Sequence, residues 1–456
     1  NNIDFRARPH SDEEAQFLAA AVAGTGRGVT FADLESASSV LMVCFEPEED
    51  AGAVFLRLRK AMRKHGLASW TLAPLLSRGA AKMGARLVPT LPGGEAAVLD
   101  VLDLPLDAGS VILVGERAAQ SSGTLSACLR LAERTGARLA WIPRRAGDRG
   151  AVEAGCLPNL LPGGRPVSDP AARIDAQATW GVGALPTVPG RDADEMIISA
   201  TDDQLSALVV AGVDPADLTD PRAALQALEE IDFVVSLETR VSAVTDRADV
   251  VFPVSLVSER AGTYLNWEGR DRHFGAVLAQ PNTMSDLRVL AALAEGLGGD
   301  LGFRTPEGAR AELAELGAWE GTRSPAPRID AAGTGRGSAT TLALATWRMA
   351  IDDSRAVDGE PFLLATARPP VALMSPGTAD AAGLADAVTV SNDRGALTLP
   401  LRRDPDMVDG VVWLPTKAPG LGVAEHLAAV AGDLVSVSVP VPSAQAPSES
   451  QNGSAA

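Results

Sequence analysis

A chain of 456 residues exceeds one ordinary domain, and about two to four are expected. With 46 % hydrophobic and 21 % charged residues, it suits a globular protein whose core is large enough to need no disulfide or structural metal. A formal net charge of −18 argues against nucleic acid as a partner, and no apolar run reaches the roughly 18–20 residues that cross a bilayer.

Residues 40–45 read as a buried strand, followed by the acidic run Glu46-Pro47-Glu48-Glu49-Asp50. A helix is predicted over 53–65, with Val54, Leu58 and Ala61 on one face. Its acidic start and basic end (Arg63, Lys64) complement the helix dipole. Residues 69–72, 85–88, 111–114 and 137–142 are further strand candidates, with a helix over 121–134 stopped by Gly136. Strand, helix and strand joined by short connections predict a parallel α/β sheet with right-handed crossovers.

Residues 147–191 are rich in Gly, Pro and Asp and read as an irregular connection. A second α/β unit follows: apolar runs at 195–200 and 207–210, a helix over 221–230, and strands at 232–237 and 249–252. Residues 317–340 have linker composition. Short strands predicted at 362–365, 387–391, 396–401, 411–414 and 434–439 then indicate a small β domain, with a barrel as the expected form. The division that follows is a Rossmann-like domain 1–170, a second α/β domain 171–318, a linker 319–344, a barrel 345–441 and a disordered tail 442–456.

Little in the residues points to catalysis. Cys44, Cys128 and Cys156 stand 84 and 28 positions apart, so no local pair exists to hold zinc or an iron–sulfur cluster. The odd count suggests buried, reduced thiols. His10, His65, His273 and His426 are scattered without metal spacing and are expected at the surface or at helix ends. The Gly24-Thr25-Gly26-Arg27-Gly28 run precedes the first clear strand and lacks the Lys-Ser/Thr of a phosphate loop. Only four lysines (Lys60, Lys64, Lys82, Lys417) accompany 36 arginines, which reads as coding bias of a GC-rich genome.

Three passages carry a family resemblance. Thr245, Ala248, Asp249, Val250, Val251 and Pro253 are followed by Glu259, Gly262, Thr263, Asn266, Glu268, Gly269 and Arg270. Asp33 and Leu34 precede the 40–49 strand and turn and the Leu56-Arg57-Leu58-Arg59-Lys60-Ala61 helix end. Asp386, Val388, Val390, Arg394, Gly395, Pro400, Val408, Gly410, Val412 and Pro415 form the third. Together they resemble the molybdopterin oxidoreductases, and within them the large iron–sulfur subunit (the G subunit) of NADH:quinone oxidoreductase, respiratory complex I.

The resemblance implies two Rossmann-like parallel-sheet domains followed by a small double-psi β-barrel. Cys44 and Phe45 replace the pattern's small and polar residues beside the pterin pocket, leaving Phe45, Glu46, Gly212 and Asp214 as remnants of that pocket. Gly262, Thr263, Asn266, Glu268, Gly269 and Arg270 are expected to shape an interdomain loop. Neither a catalytic residue nor a metal ligand is expected, and no cofactor in this chain. Because the chain starts at Asn1, a missing N-terminal half is expected to carry the iron–sulfur clusters of electron transport. The implied partners are other peripheral-arm subunits on the cytoplasmic side of the inner membrane, without insertion into it. The alternative is the pterin-binding portion of a formate-dehydrogenase-type molybdoenzyme.

Overall fold

The computed structural model describes residues 1–279, 283–333, 335 and 337–440. Its first lobe is built on five parallel strands: β1 (Ser39–Val43), β2 (Ala68–Ala73), β3 (Arg86–Pro89), β4 (Val111–Gly115) and β5 (Arg138–Ile142). They run in the order β3-β2-β1-β4-β5. That is the Rossmann arrangement, which reverses direction of growth between β1 and β4.

Period-two alternation explains why β1 and β4 read as unbroken apolar runs. Val40, Met42, Val111 and Leu113 face the helix Gly52–His65 through Val54, Phe55, Leu58 and Ala61. Leu41, Val43, Ile112 and Val114 face the opposite way, against the helices Asp12–Ala21 and Thr124–Thr135. Each fully buried Leu in these layers contributes about 1.5–3 kcal/mol by leaving water. The helix Gly52–His65 stops where Gly66 takes φ +67°, the left-handed turn that glycine adopts without steric cost.

The stretch 147–191, expected as irregular, is more ordered than its composition suggests. It holds the helix Asp148–Glu153, a hairpin of β6 (Leu160–Leu161) and β7 (Arg165–Pro166), and the helix Pro170–Trp180. Asp169 caps that last helix by accepting from the amides of Ala171 and Ala172, with Pro170 at its first position. Proline and aspartate here start a helix rather than break one. The apolar run 195–200 lies in a helix, Ala193–Thr201, opened by the reciprocal Asp192–Glu195 cap.

The second lobe has three parallel strands, β8 (Leu208–Ala211), β9 (Val234–Glu238) and β10 (Val250–Pro253), ordered β10-β9-β8. A hairpin of β11 (Gly262–Leu265) and β12 (Asp271–Phe274) follows, then the helices Asp286–Gly296 and Pro306–Leu316.

The last lobe is a closed barrel of β13 (Thr341–Trp347), β14 (Ala372–Met374), β15 (Ala387–Ser391), β16 (Ala396–Arg403), β17 (Val411–Pro415) and, after the short hairpin β18 (Lys417–Ala418) and β19 (Leu421–Gly422), β20 (Leu434–Ser438). Strand β13 pairs in parallel with β17 and antiparallel with β20, which closes the ring. The barrel thus takes in Thr341 to Leu344, the end of the stretch read as linker. Residues 362–365, expected as a strand, lie at the helix Pro361–Leu364, because Glu360 accepts from the Phe362 and Leu363 amides and Pro361 presets the first turn. The expected disordered tail 442–456 falls outside the described residues.

Candidate functional site at the crevice between the lobes

In an open parallel sheet the reversal of strand order leaves a crevice beyond the carboxyl ends of the flanking strands. Here those ends are Cys44 and Gly115. Cys44 has φ +49°, a left-handed backbone that a glycine would take without strain. Gly115 lies so close that a Cβ on it would collide with the Cys44 carbonyl oxygen. A side chain therefore projects where the resemblance implies bare backbone. Phe45 and Glu46 follow, both buried. The Glu46 carboxylate accepts from the Ser77 hydroxyl at 2.6 Å and the Gly79 amide at 3.1 Å, so it is consumed locally.

Beyond the strand ends the crevice is filled by charged side chains from every lobe. Arg8 reaches Glu14 at 2.7 Å and Glu116, just after β4, at 3.4 Å. Arg117 lies 3.7 Å from Asp50 and over the ring of Trp347 from the barrel. From the second lobe, the turn Pro215–Asp217 presents Asp217 to three cations. Arg145 approaches it at 2.7 Å, Lys417 of the barrel at 3.4 Å, and Arg348 in a direct ion pair. Arg348 and Arg144 also meet Asp352, at 3.0 and 3.5 Å, and Lys417 binds Asp214 at 2.9 Å.

These contacts set the charge states. Burial pushes the Asp217 carboxyl up, but Arg348 and Lys417 more than reverse this and hold it below the usual range. Glu116 is likewise lowered, its burial outweighed by Arg8 and Arg144. Asp50 and Asp148 go the other way. Burial takes Asp50 to about 6, and burial together with the Glu116 charge takes Asp148 to about 7.

The space left among Arg8, Asp50, Glu116, Arg117, Asp217, Arg348 and Lys417 is about 50 Å³. Pockets for ligands of cofactor size occupy roughly 300–1,000 Å³. A pterin dinucleotide needs that room; the cations here each face a carboxylate, while the Nε atoms of Arg8, Arg117 and Arg144 are buried without a hydrogen-bond partner. The space among these ion pairs is too small for such a group with the side chains as they stand.

The residues expected to mark a pocket do not converge. Phe45 and Glu46 line a space of about 30 Å³ with Cys44, Glu95 and Trp347, and Glu46 also borders a cavity of about 600 Å³ with Ser77, Arg78, Trp347 and Arg368. Gly212 turns the chain after β8 with φ +63°. Asp214 caps the Pro215–Asp217 turn and holds Lys417.

The Gly262 to Arg270 passage lies elsewhere and joins lobes. Gly262 and Thr263 stand in β11, and the Thr263 hydroxyl meets His273 Nδ1 at 2.9 Å and accepts from Arg310 at 3.0 Å. Buried Glu268 accepts from the Phe31 amide of the first lobe at 2.8 Å and from Asn266 Nδ2 at 2.8 Å. Arg270 donates its amide to Asn266 Oδ1 at 2.9 Å and places its guanidinium 3.4 Å from Glu268. Trp267 packs edge-on against Phe31 at 5.1 Å. Gly269, at φ +77°, touches the Gly26 carbonyl so closely that any Cβ would collide with it. The Gly24 loop is spent on the same junction: its Gly24 amide donates to Glu153 at 2.8 Å and its Gly26 carbonyl accepts from Arg149 at 3.2 Å.

Residues 10–296 match the family model "Molybdopterin oxidoreductase", and residues 343–448 match "Molydopterin dinucleotide binding domain". The chain belongs to the molybdopterin oxidoreductase family. Within it, the chain is 52 % identical over 448 residues to the G subunit of NADH-quinone oxidoreductase from Mycobacterium bovis, covering 96 % of this chain and 56 % of that protein. It is 45 % identical over 485 residues to the corresponding G subunit of Streptomyces coelicolor, covering 98 % and 57 %. The chain thus spans a little over half the length of the curated relatives it matches. Among solved structures, acetylene hydratase from Pelobacter acetylenicus shares the fold at a TM-score of 0.58 and 14 % identity, over 94 % of this chain and 81 % of that one.

The Val114-Gly115-Glu116 strand end points to the crevice from sequence, whereas Arg8, Arg117, Asp217, Arg348 and Lys417 are passed over. One signal is present: a lysine as rare as Lys417, set among 36 arginines just after a barrel strand, stands out from the coding bias.

Proposed function

We propose that this chain is the cluster-free, non-catalytic lobe of a G subunit of NADH-quinone oxidoreductase, and that it holds no molybdopterin. The observation that supports this reading is the crevice, where ion pairs from three lobes occupy the place a dinucleotide would need. Filled in this way, the crevice locks the lobes together, and the chain serves as a rigid body on which an assembly packs. The units are taken as 1–170, 171–318 and 345–441. On this reading the electrons from NADH to quinone pass through clusters carried elsewhere in the subunit, and the neighbours are other peripheral-arm subunits on the cytoplasmic side of the inner membrane. No helix among the described residues is long and apolar enough to cross a membrane.

Metal analysis of the natively purified chain tests the reading. Molybdenum and iron are both expected to be absent. Stoichiometric molybdenum with releasable pterin would overturn it in favour of a formate-dehydrogenase-type cofactor site.

A further inference from the structure

Residues 1–10 run between the lobes, and His10, expected at the surface or a helix end, has a ring only 1 % exposed. Its Nδ1 lies 2.8 Å from the Arg8 carbonyl oxygen. A carbonyl can only accept, so Nδ1 carries the proton. In a neutral ring Nε2 is then a lone pair, and it is buried without a hydrogen-bond partner. It faces Asp192 Oδ2 at 3.3 Å and Asp4 Oδ2 at 3.8 Å. Asp4 Oδ2 already accepts from Arg6 Nη2 at 2.7 Å and the Ala193 amide at 3.3 Å, so the contact left to balance is Nε2 against Asp192 Oδ2, which needs either a proton on Nε2 or a cation between the two.

We propose that His10 Nε2, Asp4 and Asp192 form a binding site for a divalent cation of the zinc class, completed by water. The three ligand atoms lie within 4.8 Å of one another. Tetrahedral zinc with bonds of about 2.0–2.1 Å has ligand–ligand edges of roughly 3.3 Å, close to the separations at Nε2. Imidazole nitrogen with carboxylate oxygen selects zinc over calcium or magnesium, which prefer oxygen alone.

The surroundings are built to hold the ligands. Arg6 grips Asp4, Nε to Oδ1 at 2.9 Å and Nη2 to Oδ2 at 2.7 Å. Asp192 uses Oδ1 to cap the helix Ala193–Thr201, leaving Oδ2 for the cation. The charges facing the ring are Asp4 and Arg6 from its own segment and Asp192 and Asp194 from the helix, while Arg8 is paired to Glu14. Burial opposes positive charge on the ring, but Asp192 and Asp4 reverse this and raise His10 above its ordinary value, so a proton on Nε2 competes with the cation for the same place. The ligands at positions 4, 10 and 192 join the N-terminal segment to the second lobe, a spacing that no short motif displays.

The untagged full chain, stripped with chelator and dialysed against Zn²⁺, is expected to retain one zinc and to show a raised thermal midpoint. His10→Ala and Asp192→Asn are expected to lower zinc affinity at least tenfold, and asparagine still caps the helix, so folding is kept. His273→Ala, which removes the exposed His273–Asp271 pair, is expected to change nothing. Equal zinc binding by wild type and both variants would overturn the site. So would a wild type that retains no zinc, and ¹⁵N NMR at pH 8 would then show the His10 ring protonated on both nitrogens. Molybdenum content tests the function separately, so either result can fail alone.

Discussion

The barrel interior is buried and the crevice beside it is largely so, yet they are filled by opposite chemistry. Leu342, Leu344, Met374, Val390, Leu414 and Val437 fill the barrel with hydrocarbon. Arg8, Glu116, Asp217, Arg348 and Lys417 fill the crevice with charge. Hydrocarbon stabilises in proportion to the area buried and accepts many partners. A buried ion pair adds little net stability, but it makes any arrangement that separates its partners expensive. The barrel core therefore holds one lobe together, while the crevice dictates how three lobes sit against one another.

The largest expected effect comes from breaking the crevice at its most connected point. Asp217→Ala removes the carboxylate shared by Arg145, Arg348 and Lys417, leaving Arg348 only Asp352 and Lys417 only Asp214, and is expected to cost about 3–5 kcal/mol in denaturant unfolding. A cost under about 1 kcal/mol would mean that water relieves the site and that the contrast with the barrel is false. Next, Leu344→Ala in the barrel is expected to cost about 2–5 kcal/mol and to show no dependence on pH.

Titration separates the two regions further. The folded Asp148 carboxyl lies at about 7, above its ordinary 3.8, so the native state binds its proton more tightly than the unfolded chain. Its contribution is full below about pH 4 and is lost as the pH rises through about 7. Asp148→Asn is expected to remove that decline and to be more stable than wild type at about pH 8, by on the order of 2 kcal/mol. Parallel stability curves for the two proteins between about pH 4 and 8 would contradict this.

Glu268→Ala unties the 262–270 turn from Phe31 and strands that amide, at an expected cost of about 1–3 kcal/mol. Hydrogen exchange is expected to speed up first at residues 26–31. The smallest effect is at Cys44→Gly, where relief of the left-handed backbone offsets the lost buried thiol. The net change is expected to stay within about 1 kcal/mol.

This contrast also explains what can be read in advance. Strands β1 and β4, the helix Gly52–His65 and most barrel strands declare themselves, because alternation and helical spacing are local patterns. Caps are harder: Asp169 and Glu360 turn proline-containing stretches into helices through bonds that composition alone does not distinguish from loops. The ordered string from Gly262 to Arg270 is visible, but its docking on Phe31 and Gly26 is not, since those partners lie far back in the chain. The same distance hides Asp217 with Arg348 and His10 with Asp192. Charge pairs between lobes leave no periodic trace.

Closure of the barrel has a consequence for the order of events during synthesis. Strand β13 takes β17 and β20 as its neighbours, so it emerges from the ribosome long before either exists. The first lobe, whose five strands follow one another closely in the chain, can condense while translation continues. Until Leu434–Ser438 appears, the apolar faces of Leu342 and Leu344 have no ring to enter and remain open to unwanted association. A pause or premature stop before that strand would leave a finished first lobe tethered to an unsealed barrel, a natural substrate for chaperones.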